Sequence, residues 1–133
     1  MKPKTIILAP GILGFGRVPV LSLFVNYFNG VAAHLRRQGH VVIAPQVNPI
    51  GSVTERGQQL AAAILDVSPS PQKLHVIAHS MGGLDARFAI SKVPGVAERV
   101  QTLVTIGTPH RGSPVANAFM NRTPPLFELL RPL

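Results

Sequence analysis

Four short, largely apolar runs constrain the fold of this chain more than any other feature. They cover residues 5–9, 40–45, 74–78 and 100–106. Strands that are apolar along their length are buried on both faces, which is typical of a parallel sheet with helices packed on either side. The runs therefore predict an α/β fold built on a parallel sheet of about four strands.

Helical patterns occupy the segments between these runs, as connections between parallel strands require. Residues 26–38 carry an apolar stripe with helical spacing, and another helix is predicted from the end of the third strand to about residue 91. Ser52 and Glu55 have the spacing of a capping box, which opens a helix that runs to about residue 67. Four residues are predicted on its inner face: Leu60, Ala61, Ile64 and Leu65. A short helical piece is predicted at residues 114–120.

Length and composition exclude several kinds of site. At 133 residues the chain fits one domain, and its lack of cysteine excludes disulfides and thiolate metal sites. The histidines show no pair with metal-ligand spacing, so neither a metal nor a cofactor is expected. The formal net charge is +8, but the basic residues are scattered along the sequence. That scatter favours an ordinary solvated surface, with no nucleic-acid partner.

The first residues do not match a targeting signal. Residues 1–4 are basic and residues 5–8 are apolar, but Pro10 and Gly11 interrupt the apolar stretch before it reaches the length of a signal peptide. No segment approaches the length of a transmembrane helix. We therefore expect a cytoplasmic protein.

The sequence Ala78-His79-Ser80-Met81-Gly82 has the form small-x-Ser-x-small between a predicted strand and a predicted helix. This is the form of a nucleophile elbow, a turn so tight that only small residues fit two positions before and after the serine. The turn lifts the hydroxyl above the sheet, and the helix behind it directs N–H groups at a developing oxyanion. Short matches of this kind also arise by chance, and the flanking strand and helix favour Ser80 as a nucleophile.

A second glycine-containing segment, Pro10-Gly11-Ile12-Leu13-Gly14, follows the first strand. Acyl transfer needs two N–H donors on the oxyanion, one from the residue after the serine and one from a loop after an earlier strand. Met81 and Ile12 occupy these two positions. On its own, however, the segment fits an ordinary glycine turn better than an oxyanion loop.

Four stretches resemble the bacterial true lipases of the α/β-hydrolase superfamily. They are PGILGF, YFNGVAAHLRRQGH, GSVTERGQQL, and HSMGGLDARF through VTIGTPHRGS, and they follow one another in family order. The small Bacillus-type lipases are less similar but share AHSMGG at residues 78–83. The resemblance implies hydrolysis of acylglycerols or other apolar esters, Ser80 as nucleophile, the N–H groups of Ile12 and Met81 as oxyanion hole, and strand order 2-1-3-4. One departure is Pro10, where the family usually has histidine.

The triad order in this fold is serine, acid, histidine. His110 is the single histidine after Ser80, and the resemblance gives its loop a structural role, although a makeshift Ser80–His110 pair stays open. By analogy, Asp85 is expected to pair with Arg111.

Full family members carry two further strands with the acid and the base. We therefore expect an α/β-hydrolase domain incomplete at its C-terminus, weak or inactive by itself, whose exposed fourth strand favours self-association.

Two other functions stay open. Gly11, Gly14 and Gly16 lie between a strand and a helix as in a phosphate loop, but their spacing is not that of a dinucleotide fingerprint and no acid ends the second strand. The missing acid and base favour instead a hydrolase remnant that serves as a non-catalytic binding module. His79, beside the candidate nucleophile, either lines an acyl pocket or packs beneath the elbow.

Overall fold

The structure is a computed structural model that describes residues 2–12, 28, 30–67 and 72–114. Four strands and four helices follow in the order β1 (Thr5–Ala9), α1 (Val31–Arg37), β2 (Val41–Ile43), α2 (Val53–Asp66), β3 (Leu74–His79), α3 (Gly82–Lys92), α4 (Val96–Arg99) and β4 (Val100–Ile106). In this part of the chain no helix is long and apolar enough to cross a membrane.

The strands form one parallel sheet in the order β2-β1-β3-β4, so the predicted fold class and strand order are confirmed. Central β1 pairs with β2 through Ile6↔Val42 and with β3 through Ile7↔Val76. Since all four strands run the same way, the loops that leave β1, β3 and β4 gather at a single edge of the sheet. Segments 10–12, 80–82 and 107–113 therefore meet there.

The two faces of the sheet have separate apolar cores. Along β1, Ile7 and Ala9 face the cluster that contains α2 and α3, whereas Ile6 and Leu8 face α1. This alternation follows from the two-residue period of a strand. Because both faces are covered, the central strands exclude water, as their apolar sequences predict.

The predicted inner face of α2 is correct for Leu60, Ala61 and Ile64, but Leu65 is 41% exposed. α2 begins where the capping box predicts, and the backbone N–H of Glu55 donates a 3.2 Å hydrogen bond to the Ser52 hydroxyl. The Glu55 carboxylate does not complete the box. It accepts a 2.8 Å hydrogen bond from the Asn48 side chain instead.

β2 spans only Val41–Ile43 and is shorter than the predicted strand at residues 40–45. The other differences concern helices. α1 begins at Val31 instead of residue 26, because Gly30 adopts a left-handed conformation with φ +82° at the N-cap. α4 has only four residues and was not predicted, since one turn carries no periodic pattern. Of the helical piece predicted at residues 114–120, all but residue 114 lies outside the described part of the chain.

Candidate active site

Ser80 lies in a tight turn between the end of β3 and the start of α3. Its φ is +53°, and it is the one described residue other than glycine with a positive φ. This left-handed conformation costs a side-chain-bearing residue about 1–2 kcal/mol. The backbone N–H of Ser80 donates to the Ile106 carbonyl over 2.8 Å, which fixes the turn to the end of β4. Ser80 is partly exposed at the edge where the strands end.

Small residues flank this turn because the backbone of the neighbouring loop leaves no room for larger ones. Ala78 is fully buried beneath the turn. A Cβ at Gly82 would lie 2.5 Å from the carbonyl oxygens of both Ala9 and Pro10. The start of α3 thus packs directly on the backbone that follows β1, and the two predicted halves of the site are adjacent.

The loop after β4 supports the turn from the other side. The Thr108 hydroxyl donates a 2.8 Å hydrogen bond to the Ser80 carbonyl, and its side chain occupies the space next to Gly83. A side chain at residue 83 would collide with it. This contact gives the GTPHRGS segment a structural role at the serine.

Ile12 and Met81 each present a backbone N–H that donates to no other described residue. Ile12 lies in a turn and is 46% exposed, whereas Met81 is the N-cap residue of α3. N–H groups at a helix start are oriented for an incoming anion. Both predicted oxyanion donors therefore lie at the same sheet edge as Ser80 with their hydrogens unused among the described residues.

Arg56, which the sequence reasoning did not single out, organises this edge from within the protein. The residue is completely buried on α2. Its guanidinium donates to the carbonyls of Pro10 (2.7 Å), Gly11 (3.2 Å) and Asn48 (2.9 Å). It therefore holds the loop after β1, including the carbonyl of Pro10. A signal was present in the sequence, since Arg56 precedes Leu60 and Ile64 by four and eight residues on the apolar stripe.

The expected ion pair between Asp85 and Arg111 is wrong. The Asp85 carboxylate pairs with Arg56 instead, over 2.8 Å, and both side chains are buried. Burial raises the pKa of Asp85 above its ordinary value, and this effect outweighs the hydrogen bond and charge of Arg56. Its second oxygen, Oδ1, has no hydrogen-bond partner among the described residues, which also disfavours the anion.

Both ring nitrogens of His110 lie close to side chains other than Ser80. Its Nδ1 lies 3.1 Å from Nη1 of Arg87, and its Nε2 lies 3.1 Å from the Thr105 hydroxyl. A guanidinium only donates, so Nδ1 accepts and a neutral ring carries its hydrogen on Nε2. Both nitrogens therefore already have a partner other than the serine, and the makeshift Ser80–His110 pair stays a prediction. The other predicted neighbour, His79, is exposed at the end of β3.

No cluster of three or more histidine or acidic side chains with metal-binding geometry occurs in the described ranges. Gly14 and Gly16 of the phosphate-loop alternative lie outside those ranges. What the described residues bring together is a strained serine, two unused N–H groups and a buried arginine that holds the loop between them.

Residues 48–123 match the protein family described as PGAP1-like alpha/beta domain. Triacylglycerol lipase 2 of Saccharomyces cerevisiae is 36% identical over 117 residues, which cover 84% of this chain and 35% of the yeast protein. A triacylglycerol lipase of Vibrio cholerae is 33% identical over 114 residues, with 84% and 34% covered. The chain thus spans about a third of the length of these relatives.

Solved structures show the same architecture. The mature form of a Bacillus licheniformis lipase superposes with a TM-score of 0.74 at 25% identity, covering 97% of this chain and 50% of that one. A metagenomic carboxyl esterase superposes with a TM-score of 0.72 at 19% identity, covering 87% of this chain and 33% of the esterase. At that identity the esterase supports the fold alone.

Proposed function

This chain belongs to the PGAP1-like α/β domain family and is a relative of triacylglycerol lipases within the α/β-hydrolase superfamily, and from this premise we propose that it carries the nucleophile half of a carboxylic-ester hydrolase site. The observation that carries the proposal is the backbone of Ser80, with φ +53° between a strand and a helix. Such strain persists where the surrounding structure enforces it, and it is concentrated at functional sites.

In the proposed reaction, the Ser80 hydroxyl oxygen attacks the ester carbonyl and its proton passes to a base. The carbonyl oxygen becomes an oxyanion that accepts hydrogen bonds from the N–H groups of Ile12 and Met81. Collapse expels the alcohol, which takes up a proton, and leaves an acyl group on Ser80. Water then hydrolyses this acyl-enzyme and regenerates the serine. The chemistry uses no cofactor, and apolar esters such as acylglycerols are the proposed substrates.

These 133 residues are proposed to be a weak catalyst by themselves. Nucleophilic attack needs a base within hydrogen-bond reach of the serine, and His110 is held by Arg87 and Thr105. A serine hydrolase that lacks a triad member still accelerates hydrolysis about a thousandfold over water through its oxyanion hole and binding. The expected turnover is therefore small but dependent on Ser80.

Hydrolysis of p-nitrophenyl butyrate and labelling by a fluorophosphonate probe test this proposal together. We expect slow turnover and slow labelling by the wild-type chain, and loss of both in Ser80→Ala. Ser91→Ala is the matched control, because Ser91 is an exposed serine near the other end of α3. Equal labelling of wild type and Ser80→Ala, or turnover near that of ordinary lipases, would contradict the proposal.

A second candidate function is a hydrolase-like module that binds a partner without catalysis. The hydrogen bonds of His110 to Arg87 and Thr105 favour it, because both ring nitrogens that could serve as a base for Ser80 are then occupied. The probe separates the two functions. A chain that folds normally but never reacts at Ser80, even after long incubation, is the binding module and not the hydrolase.

A further inference from the structure

The edge of the sheet where the strands begin, opposite Ser80, gathers basic side chains from distant parts of the sequence. Parallel strands begin at one edge, and the helices α1 and α3 end there because each leads back to the start of a strand. We name this the strand-start edge. Six exposed cations lie on it: Lys2, Lys4, Arg36, Arg37, Lys73 and Lys92. The fold thus brings basic residues that are far apart in the sequence to one edge of the sheet.

Acidic side chains do not balance this charge. Among the described residues, Asp66 and Glu98 are the acids at the strand-start edge, and Arg99 adds a further, partly buried cation there. At the opposite edge the exposed charges in the same ranges are Glu55, Arg87 and Arg111. Within the described ranges, the exposed positive charge is therefore concentrated at the edge that lies away from the candidate active site.

Helix electrostatics explains only part of this arrangement. Arg36, Arg37 and Lys92 lie in the last turns of α1 and α3, where the helix dipole stabilises cations. Lys4 and Lys73, in contrast, directly precede strands, and sheets have only small net dipoles. Grouping like charges also costs self-repulsion. Helix dipoles therefore do not account for the lysines at the strand starts, and a bound anion would offset their mutual repulsion.

His75 lies within this positive field. The Lys4 ammonium lies 3.4 Å from Nε2 of His75, and the Lys4 backbone N–H donates to Nδ1 of His40 over 3.2 Å. Partial burial lowers the pKa of His75 below its ordinary value, and the charges of Lys4 and His40 lower it further. An anion bound here would offset the charges of Lys4 and His40 and raise the pKa of His75. The pKa of His75 therefore reports whether an anion is bound.

The distribution of the cations favours a flat partner. They come from three layers, α1 on one face, the strand starts in the middle and α3 on the other face, and each helix is about 10 Å across. Two apolar side chains at the same edge are also exposed, Val41 at 56% and Leu65 at 41%. A cationic area with exposed apolar side chains suits the surface of an anionic bilayer better than a single extended polyanion.

We propose that the strand-start edge docks this protein onto the anionic headgroups of a lipid membrane. In that orientation the Ser80 edge faces the water, because the two edges lie at opposite ends of the strands. Each basic residue near an anionic surface strengthens binding about fivefold. The interaction is expected to weaken as salt is added, since exposed charges are screened over about 10 Å at 0.1 M ionic strength.

Cosedimentation of the full chain with vesicles tests the proposal. We compare phosphatidylcholine vesicles with vesicles that also contain phosphatidylglycerol, and wild type with Lys4→Gln/Lys73→Gln. Arg87→Gln/Arg111→Gln is the matched control, because it removes the same net charge from exposed residues at the opposite edge. We expect binding only with phosphatidylglycerol, about 25-fold weaker in the strand-start variant and weakened far less in the control.

A second measurement follows His75 by the chemical shifts of its ring protons during pH titration. Micelles of short-chain phosphatidylglycerol should raise its pKa, and phosphatidylcholine micelles should not. The proposal is overturned if phosphatidylglycerol vesicles are not bound at low salt, or if both double variants lose binding equally. Binding to polyglutamate without binding to vesicles would also overturn it, and would indicate an acidic protein partner instead.

Discussion

Ser80 holds a left-handed backbone conformation, with φ +53°, that a Cβ makes costly and that glycine adopts freely. Replacing Ser80 by glycine should therefore stabilise the fold relative to Ser80→Ala by about 1 kcal/mol, although both changes remove the hydroxyl. Urea unfolding of the two variants measures the difference. If the alanine variant is the more stable one, the turn relaxes in solution and the strain argument for a functional serine fails.

Arg56 offers a second test at the scale of one side chain. Removing one partner of a buried ion pair leaves an uncompensated charge and typically costs 3–5 kcal/mol. Arg56→Met should cost about that, because the carbonyls of Pro10, Gly11 and Asn48 lose a donor as well. Arg87→Met, on the exposed face of α3, serves as the control. A loss below about 1 kcal/mol in urea unfolding would show that the buried network is not formed.

The partner of Asp85 could not be derived from the sequence. It depends on how closely α2 approaches α3, and that distance is set by Gly57, where a Cβ would lie 2.5 Å from the Phe88 ring and 3.1 Å from the Asp85 carbonyl. The charged residue on the apolar stripe of α2 indicates that Arg56 is buried, but not which acid it meets. The analogy with lipases predicted Arg111 as the partner of Asp85. The contact between α2 and α3 places Arg56 there instead.

At the scale of elements, the central strands β1 and β3 could be predicted because helices cover both faces of the sheet there, which leaves a simple apolar pattern. The spatial order of the four strands came from the resemblance to lipases, since the pattern alone does not fix which strands are neighbours. The ends of the helices were harder to predict from the sequence. The start of α1 depends on the left-handed Gly30, and α4 is a single turn between Gly95 and β4. The unused N–H groups of Ile12 and Met81 depend on backbone geometry that no residue pattern records.

The close contact between the start of α3 and the end of β1 predicts that Gly82 cannot be enlarged without loss of stability. A Cβ at Gly82 meets two backbone carbonyls at 2.5 Å, and backbone cannot move aside without shifting the strand. Gly82→Ala should therefore destabilise the fold by about 1–3 kcal/mol, as overpacking does. Gly51→Ala is the matched control, because its Cβ meets mainly the flexible carboxylate of Glu55.

Thermal unfolding of the two glycine variants gives the comparison. A clear drop in melting temperature for Gly82→Ala and a small one for Gly51→Ala are expected. Equal effects would mean that the loop after β1 yields to the helix. In that case the two halves of the candidate active site would not be rigidly joined, and the proposed oxyanion hole would lose its structural support.

At the scale of the whole molecule, β4 forms one end of the sheet and has no further strand beside it among the described residues. Val104 and Ile106 of this strand are 47% and 52% exposed. An apolar edge strand of this kind is a template for pairing with another chain. We therefore predict that the 133-residue protein self-associates reversibly through β4, with an assembly size that grows with concentration in sedimentation velocity.

A charge on the edge strand should oppose this pairing, since exposed lysines are a common means of blocking such edges. Val104→Lys is expected to shift the protein toward monomer. Val41→Lys should not, because Val41 is at least as exposed but lies on β2 at the other end of the sheet. A protein that stays monomeric at every concentration would refute the prediction. Equal dissociation by both variants would instead assign the association to general charge repulsion, and β4 would then lose its role as the interface.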